Sequence, residues 1–143
     1  MPLCAPGTYH FQSQLNPALY LGVSAVASDV FALVNATQPF AWTLEGSGLP
    51  QHLSFSDPGG TRVYVHFGQS PLEASPLDPS AMESQIAVWQ FPNGSYAIVN
   101  HDRSYIADQN GDQPNAGNPV IPWSINPVDP APRPNQLWIV SPA

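Results

Sequence analysis

A repeat of about 45 residues constrains this chain more than any other feature, and three unrelated markers carry it. Tryptophans flanked by apolar residues stand at Trp42, Trp89 and Trp138, 47 and 49 residues apart. Tyrosines stand at Tyr20, Tyr64 and Tyr105, 44 and 41 apart, and Phe11, Phe55 and Ile98 are spaced by 44 and 43. A period in this range marks one supersecondary unit used several times, each copy unable to bury its apolar face alone. Around the markers, short apolar or alternating runs end in Gly, Pro, Asn or Asp, the pattern of strands joined by tight turns. The 18 prolines leave few windows in which a helical stripe runs unbroken.

Twelve strands are predicted, four per repeat: Thr8–Gln12, Ala18–Val23, Val30–Asn35, Ala41–Glu45, Gln51–Ser56, Arg62–Phe67, a weaker Leu72–Leu77, Ala87–Phe91, Ser95–Asn100, Ser104–Asp108, Val120–Ser124 and Leu137–Val140. Three such units can close into a six-stranded barrel capped by three hairpins, which leaves no raw sheet edge. This all-β arrangement resembles the β-trefoil, and the resemblance covers essentially the whole chain. One domain over residues 1–143 is expected, with repeats of about 7–48, 49–92 and 93–143, and Trp42, Trp89 and Trp138 filling the barrel core.

Charge narrows the partners. The net charge is −7, and the basic residues are Arg62, Arg103 and Arg133 with no Lys. Nucleic acid needs concentrated positive charge, as does an anionic membrane surface, so neither is an expected partner. Cys4 is the single cysteine, which excludes an intramolecular disulfide and a multi-cysteine metal site. Met1–Gly7 has no apolar stretch like that of a signal peptide, and a cytoplasmic location is the expectation.

The chemistry concentrates between Asp108 and Trp138, where a carboxylate, an isolated Trp and side-chain amides are separated by turn residues. Such a set suits a shallow polar pocket with one aromatic wall, able to hold sugar hydroxyls and an apolar ring face. The stretch resembles a ricin-B-like lectin repeat. In that pattern a strand ends in Asp, a Gly-Asn turn follows, then a strand ending in Trp, then Asn-Gln-x-Trp. Here Asp108 and Trp123 are fifteen residues apart, Gly117-Asn118 lies between them, and Asn135-Gln136-Leu137-Trp138 closes the unit. The departure is Pro127–Pro134, a stiff, partly polyproline connection that lengthens the last link by about three residues.

The resemblance implies a lectin for galactose- or N-acetylgalactosamine-type glycans, of the kind found in mushroom fruiting bodies. It implies that Asp108 accepts from two sugar hydroxyls, Trp123 stacks on the ring, and Asn135 bonds the same hydroxyl pair. Gln136 would orient the site and Gly117-Asn118 shape its rim, all on exposed loops or strand ends. The first two repeats lack this set. Gly22 and His66 take the place of Asp108, residues near Val34 and Leu77 fall at the stacking position, and Asn35 with Gln38, or His66 with Gln69, are the candidates for degenerate sites.

The rival function is a protease inhibitor of the mushroom type, which shares the fold and needs a rigid exposed loop. Arg133 precedes Pro134, Arg103 sits in a hairpin turn at His101-Asp102-Arg103, and Arg62 begins a strand, so none suits a trypsin-like pocket. A storage protein would leave Trp123 without a purpose. Catalysis is not expected: the four histidines scatter over the repeats, no nucleophile or phosphate-loop motif appears, and no cofactor or metal is called for. A homodimer is one way for such a protein to gain a second site.

Overall fold

The computed structural model describes residues 2–111, 114–125 and 132–143. Its strands are β1 (Gly7–Ser13), β2 (Tyr20–Ala27), β3 (Val30–Ala36), β4 (Trp42–Glu45), β5 (His52–Ser56), β6 (Arg62–His66), β7 (Glu73–Ser75), β8 (Ile86–Gln90), β9 (Tyr96–Asn100), β10 (Tyr105–Asp108), β11 (Ile121–Ser124) and β12 (Trp138–Pro142). Each corresponds to a strand read from alternation and turn residues, with ends shifted by a few positions. Two short 3-10 turns, Met82–Ser84 and Pro134–Gln136, precede β8 and β12 and have no signature in the apolar pattern. The connection Pro127–Pro134 falls mostly outside the described residues.

Six strands close a barrel. β1 pairs with β4, β4 with β5, β8 with β9, β9 with β12 and β12 with β1, while a bridge between Gln51 and Ile86 joins β5 to β8. The remaining strands form three hairpins, β2–β3, β6–β7 and β10–β11. A ring of backbone hydrogen bonds links the hairpins: Leu33 N donates to Leu72 O (2.9 Å), Leu72 N to Val120 O (3.0 Å), and Val120 N to Leu33 O (2.8 Å). The three residues are buried and equivalent, so the ring marks a pseudo-threefold axis. The fold is a β-trefoil.

This ring fixes which residues correspond. The residue after each ring member pairs with Gly22, His66 and Asp108 respectively, through Val34, Glu73 and Ile121. The equivalence of Gly22 and His66 with Asp108 therefore follows from the register. Two positions further, Trp123 corresponds to Ala36 and Ser75, which replaces the sequence assignment near Val34 and Leu77. Aligned on the barrel pairs Phe11–Val140, Leu53–Leu44 and Ile98–Val88, the tryptophan slot holds Trp138, Trp42 and Ile86.

Trp42 and Trp138 are fully buried in the main core with Phe11, Leu53 and Ile98. Trp89 is not in that slot. It lies half-buried against a smaller cluster of Ala87, Ala97, Val99, Ile106 and Leu137, with the Arg103 guanidinium 4.3 Å above its ring. The sequence spacing misplaces it because a three-residue slip hardly changes a period of about 45, yet it moves a side chain out of the barrel axis.

Candidate functional site

Asp108 ends β10 opposite Ile121, and Ile106 on the same strand lies opposite Trp123. Residues two apart on a strand share a face, and so do directly opposed residues on paired strands. Asp108 and Trp123 therefore present their side chains to one face of the β10–β11 hairpin. Trp123 is 47% exposed there, a large area for an indole.

The short turn Pro134–Gln136 brings two amides to the same carboxylate across 27 and 28 residues of sequence. Asn135 Nδ2 donates to both oxygens of Asp108, at 3.1 and 3.2 Å, and Gln136 Nε2 donates to Oδ2 at 2.9 Å. The backbone adds Asn110 N at 2.7 Å and Gly111 N at 3.3 Å, both to Oδ1. Gln136 is itself oriented by its Oε1, which accepts from Arg133 N at 3.1 Å. The structure thus gathers Asp108, Asn135 and Gln136 into one cluster with Trp123 on its face.

Asp108 does not sit at an exposed strand end: it is 3% exposed. Burial of a carboxylate is tolerated because N–H groups surround it, replacing the water it gives up. Asn135 and Gln136 are also buried. Gly117 and Asn118 lie in the β10–β11 connection, docked on the first repeat rather than free. Gly117 N donates to Asn35 O (2.7 Å), and Asn118 O accepts from Asn35 N (2.9 Å). Gly117 has φ +85°, a conformation that favours glycine.

The candidates in the other repeats stand apart from this chemistry. Asn35 is fully buried and anchors the third repeat's loop, its Nδ2 donating to Gln109 O and Asn118 O at 3.1 and 3.3 Å. Gly22 packs so closely that an added Cβ would lie 2.6 Å from the Cβ of Ala36. Gln38 is exposed in the turn after β3. His66 is buried, with Nε2 3.0 Å from Ser75 Oγ. Burial lowers its pKa below the ordinary value, while the charges of Glu73 and Glu83 and a hydrogen bond to Gln69 act in the opposite direction. The second repeat keeps the backbone socket, since Phe67 N to Glu83 O (3.0 Å) repeats Gln109 N to Asn135 O (2.8 Å). Its positions carry His66, Ser75, Glu83 and Ser84, with no aromatic wall.

Two residues of the site are absent from the sequence reading. Gln109 and Ser13 are fully buried and hydrogen-bonded to each other through Ser13 Oγ and Gln109 Oε1. Gln109 lies in Asp-Gln-Asn-Gly, a strong turn signal, which hid it. Among the described residues, no group of three or more His, Cys, Asp and Glu side chains converges to hold a metal. Arg103 is engaged on Trp89, and Arg133 is exposed immediately before the Pro134–Gln136 turn.

No protein-family model matches the chain, and no curated protein matches its sequence. Solved structures do match its fold. A designed threefold-symmetric protein, ThreeFoil, superposes with a TM-score of 0.73 at 14% identity, covering 94% of this chain and 97% of its own. The C-terminal half of an earthworm R-type lectin, solved in complex with GalNAc, gives 0.61 at 18% identity, covering 94% and 98%. A mosquitocidal holotoxin gives 0.72 at 14% identity; 95% of this chain matches 16% of that one.

Proposed function

We propose that this protein is a carbohydrate-binding protein whose third repeat takes the terminal galactose or N-acetylgalactosamine of a glycan. The observation that carries the reading is the exposed Trp123 on the same face as Asp108 and its amides. An indole left half in water beside a carboxylate–amide cluster offers an apolar wall and directional hydrogen bonds, the two requirements of a pyranose. Galactose suits it because the axial 4-hydroxyl leaves a broad C–H face to lie on the ring. The GalNAc complex of the earthworm lectin with the same fold supports the choice of sugar.

The carboxylate already meets five N–H contacts, against about four lone-pair positions. A sugar hydroxyl reaches it by taking over the long, two-centred bond from Asn135, whose freed amide then serves the neighbouring hydroxyl. Exchange of one hydrogen bond for another contributes little net free energy, so affinity for a single sugar is on the order of millimolar. Titration with galactose, N-acetylgalactosamine and glucose, alongside a protease panel, tests the reading. Selective heat from the galacto sugars, lost in Trp123→Ala, is the expected result. Tight protease inhibition with no sugar response would replace this reading with the inhibitor one.

A further inference from the structure

Two fully buried amides, Gln109 and Asn35, interrupt the pseudo-threefold symmetry, with the buried Ser13 beside Gln109. Gln109, adjacent to the ring position Val120, corresponds to Val23 and Phe67, which both pack against the main core. Ser13 corresponds to Phe55 and Asn100, and Asn35 to Ala74 and Pro122. All three polar residues are fully buried along the junction of the first and third repeats. A buried amide in an apolar position contributes less than a well-packed hydrophobe, so its contacts show what it does there.

Gln109 grips the segment that carries the site's amides at both ends. Its backbone N donates to Asn135 O (2.8 Å) and its Nε2 donates to Leu137 O (3.1 Å). Ser13 Oγ donates to Gln109 Oε1 and in turn accepts from Asn16 N at 2.9 Å, which fixes which way the amide points. Gln109 O accepts from Asn35 Nδ2, the same group that holds Asn118 O in the loop leading to β11. The second repeat has the first of these bonds, from Phe67 to Glu83, and a phenyl ring in place of the second.

We infer that Gln109 is a positioning residue for the third-repeat site, clamping residues 135–137 so that Asn135 faces Asp108, with Ser13 locking the clamp. It touches no ligand, and the inference rests on the sugar-binding reading only for its effect on affinity. Gln109→Leu supplies the hydrophobe that the other two repeats favour. The expected result is galactose affinity of the folded protein lowered about tenfold or more, with a melting temperature that falls only modestly, because the added hydrophobe offsets part of the cost of leaving the Ser13 hydroxyl without its acceptor. Equal affinity, or lower stability with undiminished affinity of the folded fraction, would overturn it.

A second measurement needs no sugar. The Nδ2 protons of Asn135, bonded to Asp108, give side-chain amide signals in an NMR spectrum of the free protein. Gln109→Leu should shift and broaden them while the amide signals of the first two repeats stay in place. Unmoved Asn135 signals would overturn the clamp even if the parent ignored every sugar, and moved signals with a sugar-blind parent would place the fault in the functional reading alone. Ser13→Ala, a smaller change, should show the same shifts in part; it decides the matter if Gln109→Leu does not fold.

Discussion

At the scale of single residues, the burial of Asp108 changes what its removal means. Asp108→Ala leaves the amides of Asn135 and Gln136 and two backbone N–H groups without an acceptor, and an orphaned buried donor costs about 1–3 kcal/mol. Its melting temperature should fall along with galactose binding, so loss of binding in that variant is not by itself diagnostic. Asp108→Asn turns one acceptor oxygen into a donor facing other donors and should behave almost as badly. Trp123 is the clean probe. Trp123→Ala should melt like the parent while losing about 1–3 kcal/mol of sugar binding, by analogy with aromatic stacking on bases, and Trp123→Phe should lose less. Calorimetric titration beside a thermal melt distinguishes all four.

His66 carries the pH prediction. Its pKa in the folded protein is depressed by burial below the unfolded value of about 6.5, so the folded state favours the neutral ring. The stability this contributes is present above the unfolded pKa and is lost as pH falls through the folded one. Glu73 and Glu83 moderate the loss without reversing it. Melting temperature should therefore decline below about pH 6.5, and His66→Gln should flatten that decline. An unchanged slope in the variant would show that another group titrates there.

At the scale of strands and hairpins, close approach and barrel slots make separate demands. Gly22→Ala would force its methyl onto that of Ala36 across the β2–β3 pair, which should cost about 1–3 kcal/mol. Adding Ala36→Gly should recover most of it; failure to do so would mean the two strands do not meet as described. Trp42→Ala and Trp138→Ala empty barrel slots and should each cost about 3–5 kcal/mol. Trp89→Ala should cost clearly less, because the ring is half-buried and its partner is the exposed Arg103. Chemical denaturation of the three variants gives the order directly.

For the whole molecule, the pseudo-threefold barrel predicts a far-ultraviolet circular dichroism spectrum of β structure with almost no helix. Helical content above about a fifth would be incompatible with it. The same symmetry brings an expectation about valency. Among the described residues, only the third repeat joins a carboxylate–amide cluster to an exposed Trp, so the proposed reading gives one such site per chain. Agglutination of cells needs at least two sites per particle, which a dimer supplies. Crosslinking activity should therefore track dimer content in analytical ultracentrifugation, and agglutination by a monomer with only the Asp108 site filled would contradict the single-site reading.

The sequence by itself determined the period, the strand content and the spacing of Asp108, Trp123, Asn135 and Gln136. Local chemistry carries all three: alternation specifies strands, Gly, Pro, Asn and Asp specify turns, and the spacing from Asp108 through Trp123 to Asn135-Gln136 is a covalent fact. Tertiary structure alone decided how far each residue turns toward the axis or away from water. Ile86 rather than Trp89 fills the second barrel slot because the β8–β9 register, set by contacts distant in sequence, assigns it there. Asp108 is buried because residues 135–137 fold over it, a closure between segments 27 residues apart. Gln109, in a run that spells a turn, became a clamp only when β1 and Leu137 arrived on either side of its amide. A turn residue and a buried clamp are written with the same letters; the neighbours that distinguish them come from elsewhere in the chain.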